Sequence, residues 1–171
     1  MDYPHPLIKM ADDGSFVGTS ELEVLPDHKV KGLQGDLFPE SERASWGVVT
    51  VAGELTGVQL FGTLNTGICG IALPHMAHAN GVLPAIEYEN YYWTGITITN
   101  VMDEAITVTL QLVGKDGMVK ATEIETIDAL SRFKAVVEDY FPDATLRDGD
   151  YVRFNANGPV VAIQISGRDD N

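Results

Sequence analysis

The sequence predicts an all-β protein with minor helix: an antiparallel β-sandwich with internal pseudo-two-fold duplication and one short helix per half. Three observations carry this prediction. First, a block recurs at constant offset. Residues 13–39, "DGSFVGTSELEVLPDHKVKGLQGDLFP", match residues 116–142, "DGMVKATEIETIDALSRFKAVVEDYFP". The match pairs Asp13, Gly14, Thr19, Lys31, Asp36, Phe38 and Pro39 with Asp116, Gly117, Thr122, Lys134, Asp139, Phe141 and Pro142. After a two-residue gap, "WGVVTVAGELTGVQLFG" (46–62) matches "YVRFNANGPVVAIQISG" (151–167), retaining Gly53/Gly158, Gln59/Gln164 and Gly62/Gly167. Such a period implies one structural unit built twice. Second, apolar residues alternate with period two over most of the chain, as in half-buried strands. Third, the alternating runs are separated by turns containing Gly.

The elements follow in order. By the offset, "PLIKMADDG" (6–14) aligns with "TLQLVGKDG" (109–117), so the first copy reads as N-terminally incomplete. Either 68–73 fills the missing strand position or the chain belongs to a longer array. An unfilled position would leave a sheet edge able to accept a strand. "HKVKGLQGDL" (28–37) suits a short or 3₁₀-like segment, because Gly32 and Gly35 weaken a helix. Trp46–Val51 and Leu55–Phe61 read as a hairpin closed by "AGEL" (52–55). A strand at 68–73 precedes an irregular run broken by Pro74, Gly81 and Pro84. Loops of that length are often functional, and a long crossover between sheets is the structural alternative.

The second half begins with "WTGITITN" (93–100), a strand with one buried face, and "AITVTLQLV" (105–113), which aligns Ile106, Val108, Leu110 and Leu112. "GKDG" (114–117) supplies a tight turn. The return strand at 118–127 has inconsistent parity, which suggests a bulge. In 131–140 the spacing of Phe133, Val136, Val137 and Tyr140 predicts a helix capped by Ser131. Tyr151–Ala156 and Val160–Ser166 then form a hairpin through "NGPV" (157–160). The organisation is a first half at 1–62, a connecting strand and loop at 63–92, and a second half at 93–171, within one compact domain. The expected core comprises Val48, Val58, Leu60, Ile96, Ile98, Val108, Leu110, Phe141, Val152, Phe154, Ile163 and Ile165.

Composition narrows the partners. The 171 residues are 44% hydrophobic, enough for a globular core. Eleven basic against 25 acidic residues give a net charge of −14, a field that repels phosphate backbones and anionic lipid. Nucleic acid is therefore a poor partner. No segment approaches the roughly 18 apolar residues of a membrane span, so no membrane insertion is expected. The single Cys69, in "ICGIAL" (68–73), rules out an intrachain disulfide and reads as a buried inert thiol. "MDYPHPLIKM" shows no signal-peptide pattern.

"LTGVQLFGTLNTGICGIALPH" (55–75), "YWTGITITN" (92–100), "AITVTLQLVGKDG" (105–117) and "GDYVRFNANGPVVAIQISG" (149–167) resemble a β-sandwich repeat of secreted or surface bacterial proteins. In that group an xWTGIxxxN strand precedes a VTL strand, a DG turn, a lobe ending near FP and a closing hairpin. The resemblance implies a non-catalytic module in an extracellular or periplasmic setting, often beside other modules. The missing leader and incomplete first copy depart from that pattern.

Three groups of residues are candidates for chemistry. His75 and His78 form a His-x-x-His pair near Cys69, Glu87 and Glu89, donors that suit Zn²⁺, with His28 or His5 as further ligands. The competing reading packs His75 behind Pro74 and leaves His78 solvated. Acidic turns at Asp12-Asp13-Gly14, Asp116-Gly117 and Asp148-Gly149-Asp150 offer oxygen for Ca²⁺, yet hairpin geometry already accounts for Asp-Gly. Tyr88, Tyr91, Tyr92 and Trp93, beside Glu87, Glu89 and Asn90, form the densest aromatic cluster. Flat rings beside carboxylates suit sugar stacking or a protein interface. No nucleophile elbow, phosphate-cradling loop or zinc-protease helix is present in the sequence. The sequence therefore favours a non-catalytic binding, adhesion or assembly module with no cofactor. It would work on a protein or glycan surface through residues 74–92, or self-associate through an open sheet edge. A carbohydrate-binding module is the alternative, and a small metal-dependent enzyme at His75/His78 the more distant one.

Overall fold

Asp-Gly turns set the register of two hairpins. The computed structural model describes residues 5–25, 29–32, 46–50, 57–63, 67–72, 74 and 76–168. Strand β1 (His5–Met10) pairs with β2 (Phe16–Leu22), and β8 (Ile106–Val113) pairs with β9 (Val119–Ile127), both antiparallel. Gly14 and Gly117 lie at φ 80° and 83°, a region open to glycine at little cost. The Ser15 N–H donates to Asp13 Oδ1 at 2.9 Å, and the Met118 N–H to Asp116 Oδ1 at 3.0 Å. Leu7 faces Ser20 as Leu110 faces Glu123, and the register slips between Lys9 and Met10 as between Leu112 and Val113. The bulge expected from the parity of 118–127 is present in β9 itself, where Lys120 is the extra residue between Val119, opposite Val113, and Ala121, opposite Leu112.

The chain divides into two compact units. The first comprises Met1–Ala11 and Phe16–Met76, the second Asp12–Ser15 and Ala77–Asn171. In the first, β3 (Trp46–Val49) pairs with the other edge of β1, with Met10 opposite Trp46 and Leu7 opposite Val49. Strands β4 (Val58–Thr63) and β5 (Gly67–Ala72) form a separate two-stranded sheet, with Gly62 opposite Ile68 and Phe61 opposite Cys69. Thus β3 pairs with β1 and β4 with β5, in place of the hairpin expected at 46–61. Val48 is 41% exposed because it sits opposite Ile8, on the face turned away from buried Leu7. Val58 is 64% exposed, so neither valine joins the core. Phe38, the Leu60 and Cys69 side chains, and most of the segment expected at 28–37 lie outside the described residues.

The second unit is mostly one antiparallel sheet. Its order is β10 (Arg132–Val136), β7 (Tyr92–Asn100), β11 (Tyr151–Arg168), β8 and β9, with β6 (His78–Leu83) also on β11. Two expectations are corrected here. Residues 151–168 form a single long strand rather than a hairpin. Residues 131–140 form β10 followed by a one-turn helix, α1 (Val137–Tyr140), because β10 takes its ladder from β7. Strand β6 also replaces part of the irregular run expected after Pro74. Gly81 explains why a strand can lie there: a Cβ at that position would stand 2.7 Å from the Phe154 ring.

This sheet curls along one line. β7 and β8 lie end to end on the same edge of β11, with Asn100 opposite Val160 and Val108 opposite Ala156. β10 and β9 continue in the same way, with Arg132 opposite Thr99 and Ile127 opposite Ile106. The connections at 101–105 and 128–131 thus lie level with residues 157–159, where the unbroken β11 leaves the β8 ladder and joins that of β7. Asn100, fully buried, holds that corner. Its Nδ2 donates to the carbonyls of Glu104 (2.7 Å), Asp128 (2.9 Å) and Ile127 (3.2 Å), and its Oδ1 accepts the Met102 N–H at 2.9 Å. These bonds satisfy backbone groups that the broken ladders leave over.

Inside the curl, Ile96, Ile98, Val108, Leu110, Leu112, Val152, Phe154, Val160 and Phe141 form the core, with Ile86 and Leu146 from loops. Ile163 and Ile165 are only half-buried. They face Thr97 and Gly95 rather than Ile96, and so lie on the outer side of the sheet. Tyr140 packs edge-on against Phe133 and Phe141, at centroid distances of 5.1 and 4.8 Å. Burial and then the neighbouring Glu125 push its phenol pKa upward.

Candidate functional site

The loop between β6 and β7 leaves the sheet at Pro84 and is fastened at successive points. Ala85 takes φ 57°, which turns Ile86 into the core at 1% exposure. The Ile86 N–H donates to the Asp150 carbonyl (2.6 Å), and its carbonyl accepts the Gly149 N–H (3.1 Å). The Thr94 hydroxyl accepts the Glu87 N–H at 2.9 Å and donates to the Glu87 carbonyl at 3.0 Å. One carboxylate oxygen of Asp148 then accepts the N–H groups of Tyr88 (2.9 Å) and Glu89 (3.0 Å). Those two bonds hold the Asp148 carboxyl below the usual aspartate range.

The base of this anchor is an ion pair between a buried carboxylate and a solvent-facing lysine. Asp150, 1% exposed, meets Lys120 Nζ at 2.5 Å, and its Oδ2 accepts the Arg147 N–H at 2.9 Å. Lys120 also donates to the Thr145 carbonyl at 3.0 Å. Lys120 and Asp150 therefore stiffen the 145–150 loop from which Asp148 reaches out.

The turn Glu89–Tyr92 closes the loop. Asn90 (φ 59°) and Tyr91 (φ 68°) are both left-handed, and the Tyr92 N–H donates to the Glu89 carbonyl at 3.3 Å. Asparagine tolerates that conformation, whereas tyrosine there costs on the order of 1 kcal/mol. The strain holds Tyr91 outward at 64% exposure, beside Tyr88 at 42% and Tyr92 at 37%. The Arg168 guanidinium lies 5.7 Å from the Tyr92 ring centroid, within reach of a cation–π contact.

Trp93 differs from the three tyrosines. It is half-buried, and its indole lies across Gly167, where any Cβ would collide with the ring. A hollow of about 350 Å³ opens beside it over Gly95, walled by Trp93, Thr97, Val136, Ile165 and Lys134. Of the four aromatic residues expected to recognise a ligand, Tyr88, Tyr91 and Tyr92 stand in the open and Trp93 forms a flank. Asp148, Arg168 and Gly167 complete the site. They lie far along the chain from the loop, and no local spacing marks them.

The other candidate sites resolve differently. His78 is exposed in β6, beside Val160, while His75 and His28 lie outside the described residues. Among the described residues no group of three His, Cys, Asp or Glu side chains converges on one point. The acidic turns spend their oxygens internally. Asp13 and Asp116 accept N–H groups of their own turns, Asp148 serves the aromatic loop, and Asp150 is paired with Lys120. No helix among the described residues is long and apolar enough to cross a membrane. Comparison of the chain with protein-family models, curated proteins and solved structures returned no match.

Proposed function

We propose that this chain is a non-catalytic binding or adhesion module, and that Tyr88, Tyr91 and Tyr92, flanked by Trp93, form its recognition surface. The observation that carries this reading is the pinned loop: large rings are exposed on a backbone held in left-handed strain and tied down by Asp148. Rigid amphipathic rings give contact area at little entropic cost, which is why Tyr and Trp dominate interface hot spots. The resemblance to secreted and surface bacterial repeats adds an extracellular or periplasmic setting as part of the proposal.

We further infer an antiparallel sandwich duplicated within the chain. Supporting this, β2–β1–β3 and β9–β8–β11 share one register, including the bulge and the placing of Trp46 against Met10 and Tyr151 against Val113. Gly62 opposite Ile68 likewise parallels Gly167 opposite Trp93, so β5 takes in the first half the place that β7 takes in the second.

A glycan is the favoured ligand among surfaces, because the rings neighbour exposed carboxylates at Glu87 and Glu89 that suit sugar hydroxyls. The test is binding of the purified protein to a glycan array and to a panel of immobilised surface proteins. Tyr91→Ala and Tyr88→Ala should each weaken the recognised partner by about thirtyfold, or ~2 kcal/mol, with an unchanged circular dichroism spectrum. Binding that neither substitution alters would overturn the proposal. A blank glycan array with binding to a protein would replace the sugar by a protein partner.

A further inference from the structure

We propose that the hollow over Gly95 binds a small aromatic carboxylate, its ring lying against Trp93 and its anionic group meeting Lys134 and Thr97. The site is separate from the tyrosine surface. Successive side chains of a strand point to opposite faces, so Trp93, Gly95 and Thr97 share one face of β7, and Tyr92 and Thr94 the other.

Gly95 marks the site because the fold does not demand a glycine there. Gly81 and Gly167 lie beneath rings, where a Cβ would stand 2.7 Å from Phe154 and 2.3 Å from Trp93. Gly95 has no left-handed backbone, and its nearest neighbour to a Cβ would be the Trp93 ring edge at 3.3 Å, which a small shift of the ring relieves. Glycine inside a strand weakens it, and often marks the place where a ligand comes close to the backbone. The missing side chain leaves about 350 Å³, at the small end of ligand pockets, which run from about 300 to 1,000 Å³. The ligand is therefore small. Trp93, Val136 and Ile165 make its surroundings apolar, and the indole offers an aromatic ring an offset or edge-on partner.

A polar end lies one pleat repeat away. Gly95 is flanked by Val136 and Ile165, and Thr97 by Lys134 and Ile163. The two rows stand about 7 Å apart along the strand. The Lys134 ammonium carries three N–H donors. Asp12 takes one, and the others have no partner among the described residues. Arg132 lies 4.0 Å from the same aspartate, so Arg132, Lys134 and Asp12 together leave one positive charge beside the hollow, in a chain of net charge −14. One carboxylate complements that charge. Thr97 adds a second donor: its hydroxyl is 3.5 Å from the Ile163 carbonyl, too long a contact to hold its proton. The Lys134 side chain is 55% exposed, so the anion stays at a wet rim and loses little hydration.

Naphthoate, with ring and charge, and naphthol, with the ring alone, test this by amide NMR titration of the full chain. Naphthoate should shift the Gly95 and Thr97 amides and the Trp93 indole N–H saturably, with a dissociation constant of about 1 mM or tighter. Naphthol should bind at least about tenfold more weakly. Lys134→Met should weaken naphthoate about tenfold and leave naphthol unchanged, since the exposed ion pair it breaks contributes little to the fold. Gly95→Val fills the hollow and should abolish the Thr97 and Trp93 shifts, with Lys134→Met deciding the matter if that variant misfolds. No saturable shift at about 10 mM naphthoate, shifts centred elsewhere, equal binding of naphthol, or an unchanged preference in Lys134→Met would overturn the proposal.

Discussion

Asn100 concentrates more backbone bonding on one side chain than any other residue of the curled sheet. Alanine there removes the side-chain partner of three carbonyls and of the Met102 N–H, with the Ile127 carbonyl the most deeply buried of them. Asn100→Ala should cost about 3 kcal/mol in urea denaturation, within the range for buried groups left unpaired. Asp148 makes a different prediction. Its carboxyl pKa lies lower in the folded chain than unfolded, so its contribution is fully present above the unfolded value of about 3.9 and fades as pH falls through the folded value. The amide signals of Tyr88 and Glu89 should titrate together in acid with a midpoint below 3.9, and should lose that transition in Asp148→Asn. The tyrosines of the site were legible as a dense aromatic run between strands. Their anchor was not, because a contact between residues about 60 positions apart leaves no trace in local spacing.

Strands with clean alternation were readable at this scale, and the failures have physical causes. β7 and β8 match the expected runs because one face of each is fully buried. β6 went unread because Gly81 empties the position that would have shown its apolar face. The Phe154 ring occupies that space instead. Gly81→Val should therefore destabilise by about 1–3 kcal/mol through overpacking. Combining it with Phe154→Leu should recover part of the loss, a coupling that a double-mutant cycle in thermal denaturation measures directly. The stretch 131–140 looked helical because Phe133, Val136, Val137 and Tyr140 fall at helical spacing, yet 132–136 take the β7 ladder and only 137–140 form a helical turn. β11 was split at "NGPV" since Asn-Gly ordinarily closes a hairpin. Here Asn157 Oδ1 accepts the Thr107 N–H at 2.9 Å, and the chain continues through the corner.

Across the molecule, the all-β class and the two Asp-Gly hairpins were evident from periodicity and turn chemistry, because both are set by neighbouring residues. The curl was hidden, since it depends on two connections and a point on β11 that meet only in space. The acidic balance has a collective effect of its own. With a sequence pI near 4.4, repulsion between copies vanishes in mild acid. Turbidity should peak close to that pH and fall on either side. The corner at Asn100 behaves as a mitred joint, in which the pieces fit only while their cut lengths agree. Surface connections usually absorb extra residues freely, but lengthening one of these two alone would slide a whole row of the sheet past its neighbours. Insertions there should be tolerated only in concert, which makes the quietest-looking turns of this chain its least permissive.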